Sequence, residues 1–105
     1  MGKISWTDKS VLHLKAIHDY IAEDSPFYAA NFVKSLVKAT DKLKTFPLCG
    51  RIVPEFEHST IHLREVIYHG YRIIYRITNN DDIEIVTVAH GREEIFKNLN
   101  TDWLL

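Results

Sequence analysis

Val11, Leu14, Ile17 and Ile21 recur at three- and four-residue steps, while Lys9, Lys15, Asp19 and Glu23 occupy other directions around the wheel. That period predicts an amphipathic helix over roughly 8–23. Thr7 and Asp8 stand where a helix wants an N-cap and a first-turn negative charge. Asp24-Ser25-Pro26 ends this helix and opens a second: Ser25 is a good N-cap, and Pro26 sits where a missing N–H costs nothing. Ala29, Phe32, Val33, Leu36, Ala39, Thr40 and Leu43 carry the helical period to about Lys44, and Phe46-Pro47 closes it. So short a link predicts two helices side by side and roughly antiparallel.

The segment from Pro47 to Thr60 is turn-rich, with Pro47, Gly50, Pro54 and the acidic Glu55 and Glu57. Beyond it the period falls from 3.6 to 2. Ile61–Tyr68, Tyr71–Thr78 and Ile83–His90 read as three strands, joined by His69-Gly70 and by Asn79-Asn80-Asp81-Asp82, both with two-residue hairpin chemistry. Ile4-Ser5-Trp6 is a short β-leaning opening, and Glu93–Asn98 a candidate terminal helix. The expected architecture is one α+β domain spanning residues 1–105, an N-terminal helical hairpin packed on an antiparallel sheet.

The turns also predict register. A His69-Gly70 loop sets Tyr68 opposite Tyr71, Val66 opposite Ile73 and Arg64 opposite Tyr75. An Asn80-Asp81 loop sets Ile73 opposite Val88, Tyr75 opposite Val86 and Tyr71 opposite His90. One face then carries Val66, Tyr68, Tyr71, Ile73, Tyr75, Ile77, Val86 and Val88, the bed for the helices. The other carries Leu63, Glu65, Ile67, Arg72, Ile74, Arg76, Ile83, Ile85, Thr87 and Ala89, too apolar for a wet surface. Two coverings are open: the chain's own end, where Trp103-Leu104-Leu105 is apolar, or a partner polypeptide, which the size of the patch favours. Glu65 lies diagonal to Arg72 and Arg76, so cross-strand ion pairs are expected there. Arg64 is expected on the helix side beside Tyr75, in a buried pair with a carboxylate.

Composition narrows the function classes. No apolar run approaches the roughly 20 residues that span a bilayer, and neither a secretory signal nor a myristoylation pattern is visible, so a cytoplasmic protein without membrane contact is expected. Cys49 is the single cysteine, a small residue in a turn rather than an activated thiol. Six histidines (13, 18, 58, 62, 69, 90) raise a metal reading, but their spacing supplies no ligand set, and neither a metal nor another cofactor is expected. Thirteen Lys and Arg against fourteen Asp and Glu give a formal charge of −1. A chain that grips nucleic acid through phosphates usually carries a clear positive surplus.

The ordered set Ser25-Pro26, Phe46–Glu55 (Phe-Pro-x-x-Gly-Arg-x-Val-Pro-Glu), Leu63-Arg64-Glu65, Tyr71–Arg76 (Tyr-Arg-Ile-Ile-Tyr-Arg) and Val86–Arg92 (ending His-Gly-Arg) resembles the RelE/ParE superfamily of toxins from type II toxin–antitoxin systems. The resemblance covers most of the chain. It implies a fold similar to small microbial ribonucleases, and a cognate antitoxin whose C-terminal segment wraps the toxin. It also implies one of two targets: the ribosome with its messenger RNA for a RelE-like endoribonuclease, or DNA gyrase for a ParE-like poison.

A RelE-like enzyme would draw on Arg72 and Arg92, which align with arginines of such enzymes, and on His90 as acid or base. The tyrosine that such enzymes often carry after the second arginine is missing, with Phe96 the nearest aromatic. The balanced charge and the pieces Gly-Arg-x-Val-Pro-Glu, Arg-Glu and His-Gly-Arg favour the gyrase side, with no small-molecule substrate. The expected antitoxin- or target-binding surface is Ile67, Arg72, Ile74, Arg76 and Ile85 with Arg92 and Trp103. Plainer roles stand beside these: Arg72 and Arg76 as partners of Glu65, His90 as a satisfied strand-end group, Gly91 as a tight turn, Trp103 as a pin for the tail.

Overall fold

The computed structural model describes residues 2–99. A five-stranded sheet in the order β1-β5-β4-β3-β2 forms the middle layer, with β1 Ile4–Trp6, β2 Arg51–Ile52, β3 Arg64–Tyr68, β4 Tyr71–Ile77 and β5 Ile83–Ala89. α1 (Asp8–Ala22) and α2 (Pro26–Lys38) pack on one face, and α3 (Arg92–Asn98) returns beside β5. The α+β hairpin-on-sheet arrangement stands. The sheet is mixed rather than wholly antiparallel, because β1 runs parallel to β5 through Ile4↔Ile83, Ser5↔Glu84 and Trp6↔Ile85.

The helix boundaries follow local chemistry. Thr7 Oγ1 accepts the Ser10 N–H at 3.1 Å, and Ser25 Oγ accepts the Tyr28 N–H at 3.1 Å, each satisfying a donor left over at a helix start. The second helix stops at Lys38, short of the Lys44 that periodicity predicts. Thr40 Oγ1 donates to the Val37 carbonyl at 2.7 Å, drawing the chain into a separate 3-10 turn, Asp41–Lys44.

Between β3 and β4 the register is the expected one: Arg64↔Tyr75, Val66↔Ile73 and Tyr68↔Tyr71. His69 (φ 47°) and Gly70 (φ 84°) both take the left-handed conformation of a tight hairpin turn. Between β4 and β5 the register slips. Ile74 faces Thr87 but Tyr75 faces Ile85, so Val86 is an extra residue in a β-bulge and the expected Tyr75–Val86 pair does not form. The bulge resolves a conflict written into β5. With the extra residue, Ile83 and Ile85 before the bulge and Val88 after it share the helix-side core, while Val86 itself is buried on the outer face.

Two consequences correct the expected faces. Ile83 and Ile85 turn inward and join Ile17, Leu36, Leu43, Ile73, Tyr75 and Val88 in the core beneath the helices. Ile85 is 0% exposed and belongs to no open surface. Ile74, also 0% exposed, keeps its outer-face position but is not bare: Val53 and Phe56 from the turn-rich segment, Leu63 just before β3, and Ile95 and Leu99 from the α3 region bury it with Val86 and Ala89. The apolar outer face is thus clothed by the chain itself, and the argument that a partner must supply that layer fails. Burying a side chain such as Ile74 contributes about 1.5–3 kcal/mol, which ties the turn-rich segment to the sheet.

Candidate functional site

On the same outer face, four charged residues form an alternating chain. Arg72, near the start of β4, donates through Nη1 and Nη2 to the two carboxylate oxygens of Glu55 at 2.8 and 2.7 Å, and through Nε to Glu65 Oε1 at 2.6 Å. Arg51 Nε donates to the other oxygen of Glu65. The elements dictate this geometry. Glu65 sits on β3 opposite Ile74, diagonal to Arg72, while Arg51 on the short β2 pairs with Glu65 backbone to backbone. Glu55 comes from a second 3-10 turn, Pro54–Phe56, pinned by the burial of Val53 and Phe56.

The electrostatics are those of a saturated site. The Glu65 side chain is 0% exposed and that of Arg72 only 13%. The bidentate contact from Arg72 holds the Glu55 carboxyl down at about 2 against burial pressing the other way, and Arg92 adds a weaker pull. The same two carboxylates push the Arg72 guanidinium further toward its charged form. A bidentate arginine–carboxylate fork of this kind is among the stronger polar contacts in proteins. Each arm of the Arg72 fork has a partner, so the residue is a fastener for the covering segment and not an open cation.

The other sequence-predicted residues are not drawn into one centre. Arg92, exposed at the start of α3, lies over the Phe96 ring at 5.8 Å, and Phe96 touches Phe56 beside Glu55. Arg92 therefore borders the Arg72 network. His90 is at the strand end, its ring 4.8 Å from that of Tyr71 and its backbone N–H donating to Glu94 Oε2 at 3.1 Å. Arg76 pairs with Glu84 at 2.6 Å instead of Glu65. Ile67 is 54% exposed on the outer face. Among the described residues Arg64 reaches no carboxylate: its Nη1 donates to the carbonyls of Gly50 and Leu48 at 2.8 and 3.3 Å, securing the loop before β2. Trp103 lies outside the described residues.

Two members of the network, Glu55 and Arg51, escaped the sequence reading. The signal was present in Gly50-Arg51-Ile52-Val53-Pro54-Glu55, where a cation and an anion four residues apart flank a proline. Nothing local says that such a turn folds back over the sheet. Among the described residues no group of three His, Cys, Asp or Glu is placed to hold a metal ion. No helix of the described residues is long and apolar enough to cross a membrane.

Two of the concave places among the described residues adjoin the predicted site residues. An open cleft runs between α1 and α3, walled by Tyr20, Tyr71, His90, Arg92 and Glu94. An apolar groove lies at the far end of β3 and β4, lined by Leu48, Ile52, Ile61 and Ile77 with Arg64 and Arg76 on its rim. Leu48 and Ile52, with the neighbouring Phe46, are among the exposed large apolar side chains.

Comparison with known proteins agrees with this architecture. The family described as ParE toxin of type II toxin–antitoxin system, parDE, matches residues 4–95. Toxin RelE2 of Caulobacter vibrioides is 30% identical over 91 residues, covering 87% of this chain and 97% of that protein. A solved structure described as the chromosomal ParDE TA system from P. aeruginosa superposes with a TM-score of 0.70 at 22% identity, covering 88% of this chain and 98% of that one. At that identity it speaks to the fold.

Proposed function

The chain belongs to the ParE toxin family of type II toxin–antitoxin systems, and from that premise we propose that it arrests growth by binding DNA gyrase and that a cognate antitoxin neutralises it. The state of Arg72 carries the reading. Cleaving RNA through its 2′-OH demands a proton acceptor, a proton donor and cations turned toward the phosphate. Arg72 spends its fork on Glu55 and its Nε on Glu65. The carboxylates beside it repel a phosphate at close range. The chain's formal charge of −1 points the same way, since docking on ribosomal RNA rewards a positive surplus.

A protein target suits the remaining surface. Arg92 at the head of α3 is exposed and, with Ile67 and Arg76, stays in the proposed contact set for antitoxin or target; the buried Ile74 and Ile85 leave it. The apolar groove at Leu48 and Ile52, with its arginine rim, has the mix that anchors a polypeptide segment, and it joins that set.

The test is a supercoiling assay with purified gyrase, DNA and ATP and no ribosomes. Loss of supercoiling is expected, reversed by adding the antitoxin. Normal supercoiling at a large molar excess of folded chain would overturn the gyrase reading. Cleavage of translated messages in an extract would replace it with the ribosomal one.

A further inference from the structure

Thr87 on β5 is 0% exposed, yet two helices meet at its hydroxyl. From α3, Asn98 Nδ2 donates to Thr87 Oγ1 at 3.2 Å and to the Val88 carbonyl at 3.4 Å. From α1, His13 Nδ1 lies 2.8 Å from the same Oγ1. The Val88 carbonyl can only accept, which fixes the amide side that Asn98 turns toward β5. Thr87 Oγ1 is therefore an acceptor toward α3, and its one hydrogen is left for His13 Nδ1, the bare nitrogen of a neutral ring. We propose that this hydroxyl is a proton-gated latch: with His13 neutral it ties α3 to α1, and protonation of His13 unpairs it and loosens the C-terminal turn of α3.

The gate follows from counting donors. A protonated imidazole carries N–H on both nitrogens, so Thr87 would accept from both sides. Its own buried hydrogen would then face no acceptor among the described residues, which destabilises that arrangement. His13 and Asn98 both line the open cleft whose walls are α1 and α3, so the joint sits where those walls come together. The titratable and charged groups around the ring are Lys9 and Tyr20 on its own helix, Tyr71 on β4, His90 after β5, and Arg92, Glu93, Glu94 and Lys97 on α3. Burial favours the neutral ring, Glu94 opposes it and Lys9 reinforces it. The joint is thus complete above the ordinary imidazole range and is lost as pH falls below it. Ile95, fully buried, keeps the helix on the sheet throughout. Because α3 carries Arg92, a loosened α3 presents that contact less firmly; this consequence rests on the reading above, whereas the latch does not.

The experiment is amide hydrogen exchange of the full chain by NMR at about pH 7.5 and about pH 5, on either side of the imidazole range, with each rate corrected for its intrinsic value. The probe is the Leu99 N–H, which donates to the Ile95 carbonyl at 2.9 Å at the end of α3, and the amides of β5 are the reference. Protection of Leu99 relative to β5 should fall about tenfold at the lower pH, the scale of one buried hydroxyl left unpaired. His13→Gln, uncharged at both values, should lose this response. His90→Gln, which removes the other imidazole of the cleft, should keep it. Thr87→Val, without the hydroxyl, should show low Leu99 protection at both values; where it does not fold, the two histidine variants decide. A Leu99 ratio that does not change with pH, a fall that persists in His13→Gln, or a response lost in His90→Gln would overturn the proposal. The exchange measurement involves neither gyrase nor ribosome, so failure of the latch and failure of the gyrase reading are told apart.

Discussion

Tyr75 is the residue on which the loop before β2 hangs, and Tyr75→Phe removes one oxygen from it. The side chain is fully buried in the middle of β4. Its hydroxyl donates to the Pro47 carbonyl at 2.6 Å and accepts the Gly50 N–H at 3.1 Å. Losing two hydrogen bonds costs about 0.5–1.5 kcal/mol each, and a buried donor left without a partner costs about 1–3 kcal/mol. Pro47 is partly exposed, so water can replace the hydroxyl at its carbonyl; Gly50 is buried, so its N–H stays unsatisfied. One exchanged hydrogen bond at Pro47 and one unsatisfied donor at Gly50 sum to about 1.5–4.5 kcal/mol, offset only slightly by burying a less polar ring. For a domain of this size each kcal/mol lowers the melting temperature by about 4–8 °C, so a drop on the order of 6–36 °C is expected. Urea unfolding followed by circular dichroism supplies the measurement. Tyr20→Phe, whose ring is largely exposed, is the control and should change stability by less than about 0.5 kcal/mol. A Tyr75→Phe loss below about 0.5 kcal/mol with an unchanged denaturant slope would refute the reasoning, since the hydroxyl would then not secure the loop.

Three further outcomes test the assignment of faces and charges. Ile74→Ala should cost about 2–5 kcal/mol because the outer face is covered, whereas Ile67→Ala on the same face should stay below about 1 kcal/mol; similar small losses at both would mean the cover is not there. Glu55 has a depressed carboxyl, so its contribution to stability is complete above the ordinary carboxylate range and is lost as pH falls through about 2; the acid limb of an unfolding-versus-pH curve should flatten in Glu55→Gln, and an unchanged limb would count against the Arg72 contact. His13, half-buried with Nδ1 2.8 Å from Thr87 Oγ1, is shifted below its ordinary value chiefly by burial, with Lys9 adding to the shift and Glu94 opposing it. Its neutral form is favoured in the fold, so its contribution is present above about 6.5 and declines as pH drops below that; an imidazole midpoint by NMR at or above 6.5 would contradict this.

The amino-acid sequence determined the features that depend on near neighbours. The helix starts at Thr7 and Ser25, the three central strands and the β3–β4 register all follow from caps, periods and a tight turn, whose energies are settled within a few residues. The pairing of Arg72 with Glu65 was legible too, because a known register places those side chains diagonally. Tertiary structure decided the rest. The bulge at Val86 is marked in the sequence by adjacent apolar residues, but its direction depends on which sheet face offers room to each. The covering of Ile74 by Val53 and Phe56, and the capture of Arg72 by Glu55, require a turn-rich segment to cross the sheet. No local period encodes that crossing; it is set by the apolar area buried and the ion pairs formed once the segment arrives.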